Sequence, residues 1–439
     1  MRTIGTVVRG VRAPIIREGD NIAEVAAASV MEAWKEAGIE PRDRDVVAVT
    51  ESVVARAQGN YATLDQIAKD VREKTGGGTV GVAFPILSRN RFSLLLRGMA
   101  MGCKKIVLLL SYPSDEVGNG LVDWDKLDEA GVDPYSDVLT LEQFREKFGA
   151  AVHPFTGVDY IDFYSGIITD AGAEVEVIFG NRVQTLCDYT DAVITCDIHT
   201  RARSKRLLKA AGARVVLGLD DLLNRSVDGS GYNAEYGLLG SNKATEETVK
   251  LFPRDCMAVA EELGERLSKA SGKHIEAMVY GDGAFKDPVG KIWELADPVV
   301  SPGYTKGLEG TPNELKLKYL ADHEFGDLSG EALQQAVAQK IREKDAKVSL
   351  VGTPNELKLK YLADNDFGDL KGEALKEAIE ERIREKTSES LVGNMVSEGT
   401  TPRRLTDLIG SLCDLTSGSG DKGTPIVYIQ GYFDNYSND

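Results

Sequence analysis

Disulfide pairs, histidine-rich metal centres and membrane-length apolar runs are all missing from this chain of 439 residues. Its five cysteines (Cys103, Cys187, Cys196, Cys256 and Cys413) lie far apart, with no CxxC among them. An odd, scattered set argues against a disulfide framework or a zinc site and suits a reducing cytosol. With only four histidines, any metal here would be a hard ion held by oxygen ligands. No run reaches the roughly eighteen apolar residues of a membrane span, and the first eighteen positions carry Arg2, Arg9, Arg12, Arg17 and Glu18 where a signal peptide would be apolar. A cytoplasmic protein is the expectation. Walker A, strand-helix GxGxxG and kinase signatures are also absent, which argues against P-loop and Rossmann nucleotide sites. A basic excess is missing too. The net charge of −17 speaks against a nucleic-acid-coating surface but leaves room for a nucleotide whose charge Mg²⁺ or Mn²⁺ neutralises locally.

What is present is core-forming material, 42% hydrophobic residues, in a chain long enough for two or three domains. Asp20-Asn21 followed by Glu24 resembles a capping box, Ile22, Val25, Val30 and Trp34 recur at helical spacing, and Gly38 ends the run. A buried strand over Asp45 to Thr50, a helix over Ala62 to Lys74, a strand over Thr79 to Ile86, a helix over Ser88 to Gly102 and a strand over Lys104 to Leu110 follow. This reads as one α/β segment, 1–150. In 151–310 strands are expected at Glu174 to Phe179, Ala192 to Ile198 and Arg214 to Leu219, with helices over Thr200 to Ala211 and Arg254 to Ala270. Residues 311–394 hold a tandem repeat: Thr311 to Asp322 and Thr353 to Asp364 are both TPNELKLKYLAD, and 25 of 34 positions of the two copies agree. Each copy reads as a helical hairpin opened by Thr-Pro, and two copies are too few for a solenoid. Residues 395–439 supply a last helix and the strand Pro425 to Ile429. Strand-helix alternation alone favours a doubly wound sheet.

Chemistry concentrates in three places. His274 to Tyr280 alternates with period two, as a strand does, and runs into Gly281-Asp282-Gly283-Ala284-Phe285-Lys286-Asp287-Pro288. Glycines beside Asp282 let the backbone turn sharply against a ligand, although an ordinary Asp-Gly turn has the same composition. A glycine-rich loop, Val227-Asp228-Gly229-Ser230-Gly231-Tyr232-Asn233, reads as a ligand-binding loop or a surface connection. Asp228 and Asp282 form the best carboxylate pair for a divalent ion on phosphate, with Lys286 able to steady a transferring phosphoryl group. Thr401-Pro402-Arg403-Arg404 suits a helix start that presents N–H groups and two guanidinium groups to an anion, or two arginines paired with surface carboxylates. Cys196-Asp197-Ile198-His199 could be read as a nucleophilic site, but a lone histidine is more often structural. Phe84 to Arg91 offers basic groups at a helix start, for an anion or for capping.

Val47-Ala48-Val49-Thr50-Glu51-Ser52-Val53-Val54-Ala55-Arg56-Ala57-Gln58-Gly59 resembles the N-terminal signature of the GTP-dependent coenzyme F-420:L-glutamate ligases (F-420-0:gamma-glutamyl ligases). Val227-Asp228-Gly229-Ser230 is similar to that family's metal loop, and Asp282 to Pro288 to its D-T-F-G-R-P loop, in the same order. Ser52 and Arg56 stand where the first motif has lysines, and Gly283 where the loop has threonine. Long bacterial members resemble the whole chain. The resemblance implies a mixed α+β fold with a largely antiparallel sheet and a homodimer. It also implies that GTP activates a carboxylate acceptor as an acyl phosphate, which the amine of L-glutamate then attacks. Asp228 and Asp282 would hold Mg²⁺ or Mn²⁺, Lys286 and Asp287 would be catalytic, and Arg403, Arg404, Gly229, Ser230, Gly283 and Arg56 would contact nucleotide or phosphate. The same chemistry on another carboxylate, or a non-catalytic assembly protein on the ligase fold, are the alternatives.

Overall fold

A computed structural model of the chain describes residues 3–153, 156–281, 299–310, 316–348, 374, 404–418 and 420–435. Its strands are β1 (Val7–Val11), β2 (Asp45–Thr50), β3 (Tyr61–Thr63), β4 (Thr79–Ala83), β5 (Lys105–Leu110), β6 (Leu139–Thr140), β7 (Glu174–Phe179), β8 (Ala192–Thr195), β9 (Val215–Gly218), β10 (Asn242–Lys243), β11 (Thr248–Lys250), β12 (Ile275–Tyr280), β13 (Gly303–Tyr304) and β14 (Ile426–Gln430). They form three sheets, of order β1-β14-β2-β12-β13, β10-β11-β3 and β6-β7-β5-β4-β8-β9. The class is mixed α+β, as expected. In the first sheet only β2 and β12 run parallel, and every other pairing is antiparallel. In the third, only β6 is antiparallel. The strand-helix alternation in the sequence thus belongs to one sheet, and the antiparallel character to the other two. The expected segments 1–150 and 151–310 each contribute strands to all three sheets.

Local rules explain most helix ends. In α1 (Ile22–Ala37), Asn21 caps by accepting the Glu24 N–H, and Gly38 ends the helix in the left-handed region at φ 61°. A full capping box opens α3 (Leu64–Thr75), where Thr63 and Gln66 exchange bonds. The strand over Thr79 to Ile86 stops at Ala83, because Phe84 turns to φ 54° ahead of Pro85. The helix drawn from Ser88 starts only at Ser93, as α4 (Ser93–Met101). Four helices were missed: α2 (Glu51–Ala57), which follows β2 directly, α5 (Trp124–Glu129), α6 (Leu141–Phe148) and α7 (Tyr160–Asp170).

The period-two reading of β12 needs correction, since all six of its residues are buried. The strand is interior: β2 and β13 flank it, α9 (Cys256–Ser271) covers one face, and Met278 and Tyr280 pack with Ile409 and Cys413 on the other. Glu276, the polar member of the alternation, has its carboxylate bonded to Thr305 Oγ1 and, at 2.8 Å, to His274 Nε2. Gly303 lets β13 pass the start of α9, where a Cβ would sit 2.2 Å from the Cys256 backbone.

α1 and α9 close one face of the first sheet through Val30, Trp34, Leu263 and Leu267. The last long helix, α12 (Leu405–Ser417), covers the other through Ile409 and Cys413. Within the described part of the first repeat copy, α10 (Leu317–Tyr319) leads into a π-helical turn over Leu320–Glu324. α11 (Gly330–Val348) packs back through Val337 and Ile341 onto Leu320. The second copy lies almost wholly outside the described residues. No described helix is long and apolar enough to cross a membrane.

Leu263 is fully buried between α9 and the sheet. Leu263→Ala should destabilise the chain by about 2–5 kcal/mol through lost transfer energy and a cavity, read as a lower urea midpoint at unchanged slope.

Candidate functional site

Parallel pairing of β2 with β12 sets Thr50 opposite Tyr280, so the two chains leave the sheet side by side. One becomes Glu51 and α2; the other becomes Gly281, whose N–H donates to Val300 O at 2.7 Å. Asp282, Gly283, Lys286 and Asp287 follow Gly281 and lie outside the described residues, as does Arg403.

The Asp228 loop is built into the structure rather than laid over its surface. Val227, Ser230 and Asn233 are buried. Ser230 Oγ accepts from Val227 N at 2.9 Å and donates to Gly231 O at 2.7 Å, so its hydroxyl already serves the turn. Asp228 itself is exposed, at φ 48°, and Gly229 follows at φ 77°. The Asp228 carboxylate takes the Lys69 ammonium at 2.7 and 2.8 Å, and this bond raises the Lys69 pKa. With side chains 45% and 59% exposed, such a pair is screened by solvent, and a harder cation could exchange for the ammonium. Asp228 fits a hard metal as one oxygen ligand. Among the described residues no group of three or more His, Cys, Asp or Glu is placed to hold a metal ion.

A hub that sequence reasoning missed joins this loop to the sheet. Asn60 is fully buried; its Nδ2 donates to Phe252 O at 2.9 Å, and its Oδ1 accepts from Tyr232 N at 2.9 Å and Arg254 Nη1 at 2.5 Å. Arg254 also donates to Tyr232 O at 3.2 Å and lies 4.8 Å from the Tyr232 ring centre. Gln58 grips the Arg254 backbone from both sides, at 2.6 and 2.9 Å. Arg254 has no carboxylate partner among the described residues. A half-buried guanidinium held by neutral groups and stacked on an aromatic ring is organised for a planar anion. It stands just before α9, whose N-cap residue Asp255 makes no side-chain capping bond. A signal existed in the sequence: Pro253-Arg254-Asp255 before an apolar helix pattern. It was read only as a helix start.

Beneath this hub, Lys250 Nζ binds both Glu51 oxygens at 2.9 and 3.2 Å, with side chains only 9% and 6% exposed. Burial and then the Glu51 charge push the nearby Cys256 thiol up to about 12, which removes it as a nucleophile near neutral pH.

Other expected contacts separate. Arg56 is exposed on α2 and gives its Nε to Ile16 O. Arg404 is exposed too. The last helix begins at Leu405 with Arg404 as its extended N-cap, and Leu405 N bonds Gly310 O at 2.9 Å; Thr401, expected as the N-cap, lies outside the described residues.

The third sheet has the strand order of dinucleotide-binding folds, its order reversing between β4 and β8, where such sheets hold ligands. Here the chain fills that place itself. Glu116 accepts the N–H groups of Ile198, His199 and Thr200 at 2.6, 2.9 and 3.0 Å, at the start of α8 (Arg201–Ala210), where a phosphate would bind. Nor do Cys196, Asp197 and His199 form a relay. Burial drives the Cys196 thiol well up, Asp197 takes the Thr200 and Ser204 hydroxyls at 2.6 and 2.8 Å, and the His199 side chain faces solvent.

A family model described as F420-0:Gamma-glutamyl ligase matches residues 10–431. No protein of curated function matches the chain.

Lys250→Met takes the ammonium away from the buried Glu51 carboxylate and should cost about 3–5 kcal/mol, whereas the double variant Glu51→Leu/Lys250→Met should recover most of it; urea unfolding of both distinguishes the two effects.

Proposed function

Because the chain belongs to the F420-0:gamma-glutamyl ligase family, we propose that it joins the amine of L-glutamate to a carboxylate of F-420-0 with GTP as the activating co-substrate. The observation that carries this reading to particular residues is Arg254, pinned by Asn60, stacked on Tyr232 and lacking a carboxylate partner among the described residues.

In this reading the γ-phosphoryl group moves from GTP to the acceptor carboxylate oxygen and GDP leaves. The glutamate nitrogen then attacks the acyl carbon: a C–N bond forms, the acyl C–O bond breaks with its electron pair leaving on phosphate, and the nitrogen releases a proton to solvent. Arg254 supplies a fixed positive plane for phosphate oxygens whose charge grows in the transfer. Asn60 and Gln58 hold that plane in place, so little reorganisation accompanies the reaction. Lys69 keeps the Asp228 carboxylate oriented toward solvent until a cation replaces it. A bound Mg²⁺ or Mn²⁺ would neutralise phosphate charge and orient the nucleotide. Asp228 would be one of its ligands and Asp282, the residue after the last described one at the end of β12, the other. Lys286 and Asp287 are assigned to the phosphoryl and amine steps by their place in the same segment. The family's small-molecule substrates require no nucleic acid or membrane contact, and a homodimer in the cytoplasm completes the proposal.

With Mn²⁺, GTP, L-glutamate and F-420-0, Asp282→Asn should abolish GDP release while the thermal unfolding curve stays unchanged; full turnover in that variant would sink the metal assignment. Arg254→Met should lower kcat/KM for GTP about a hundredfold, whereas a loss confined to stability would make the arginine structural.

A further inference from the structure

A cleft at the free edge of the five-stranded sheet has no part in that chemistry. It opens between β1 and the C-terminal half of α1, with a volume of about 380 Å³, and Arg9, Val30, Ala33, Trp34, Ile39 and Tyr428 wall it. β1 is the edge strand, and Arg9 lies directly opposite Tyr428 on β14. Tyr428 is committed elsewhere: its hydroxyl donates to Asp45 Oδ2 at 2.5 Å, and its ring meets Trp34 edge-on at 5.6 Å. Arg9 is not committed. Its Nη1 is buried and has no hydrogen-bond partner, and Arg9 has no ion pair among the described residues. The indole N–H of Trp34, which acts on the Tyr428 oxygen, likewise lacks an acceptor at full hydrogen-bond geometry.

A buried guanidinium nitrogen without an acceptor is costly, and such groups in native proteins call for an occupant. We propose that this cleft binds a small organic monocarboxylate, its carboxylate on Arg9 and its apolar body against Trp34, Val30 and Ala33. The cleft is of a size that holds a small molecule, and its walls are mostly apolar, which excludes a strongly hydrated ligand. Glu36 on the lining disfavours a doubly charged phosphate and leaves a single negative charge as the best match for Arg9. β14 separates β1 from β2, so this site is distinct from the one at the ends of β2 and β12.

Titration calorimetry of the full chain with sodium benzoate tests it, with benzamide as the uncharged analogue. Benzoate should bind saturably and one-to-one. Benzamide should bind more weakly by about tenfold or more, as should benzoate to Arg9→Met, since each loses a charged hydrogen bond. Ala33→Phe, which fills the cleft and keeps Arg9, should also abolish binding; it decides the matter if Arg9→Met does not fold. Absence of saturable benzoate binding, or equal binding to both variants, would overturn the proposal. So would sedimentation showing that two copies close over the cleft and that Arg9→Met separates them.

Discussion

The parallel pairing of β2 with β12 is the constraint from which the rest of the architecture follows. Parallel neighbours need a crossover, because the chain must return to the starting end of the sheet. Here everything between Thr50 and Ile275 serves as that crossover, and it is large enough to contain two further sheets with a core of their own. The pairing also fixes where the chain leaves the sheet. Glu51 and Gly281 emerge together, and the strand ends, not the strand faces, become the place where loops from distant parts of the sequence meet.

Those loops are held by polar groups inside the protein. Asn60 satisfies three partners from the 232–254 region at once. On the far side of the same loop, Asp70 takes the Leu223 N–H at 2.8 Å and the Lys74 ammonium at 2.7 Å, while Lys74 also reaches Asp221 O. Leu219, Leu222, Leu238 and Leu239 are buried around it. A buried loop must satisfy its own backbone, which is why this segment is rich in Asn, Ser and Gly. The same fastening leaves Arg254 fixed in place. The strand ends and the β4–β8 crevice have opposite designs: at the strand ends the protein surrounds a cation with neutral supports, whereas in the crevice Glu116 has taken the anion's place.

Much of the secondary structure was legible because its signals are local. Asn21 with Glu24, and the glycine at position 38, act over one helical turn, and α1 falls where they place it. Boundaries slipped where a single backbone angle decided them, as at Phe84. β12 misled for a different reason. Alternation reports polarity along the strand, but an interior strand between two helical layers buries both faces, and Glu276 could be buried because Thr305 and His274 arrive to bond it. The Asp228 loop was recognised from its composition and from its place in a family pattern. Its chemistry was not, because Lys69 and Gln66, which bind it, belong to a helix more than one hundred and fifty positions earlier.

By itself the sequence determined the family, the mixed class and the positions of most helices and strands, since capping, turn chemistry and apolar spacing act between neighbours in the chain. Only the tertiary structure decided that the strand-helix alternation belongs to one sheet and the antiparallel pairing to another. It alone brought Asn60 to Arg254, set Lys250 against Glu51 and put Glu116 on the start of α8. Contacts of this kind depend on long-range pairing and burial, and nothing in the local spacing of residues encodes which distant partner will satisfy a buried charge.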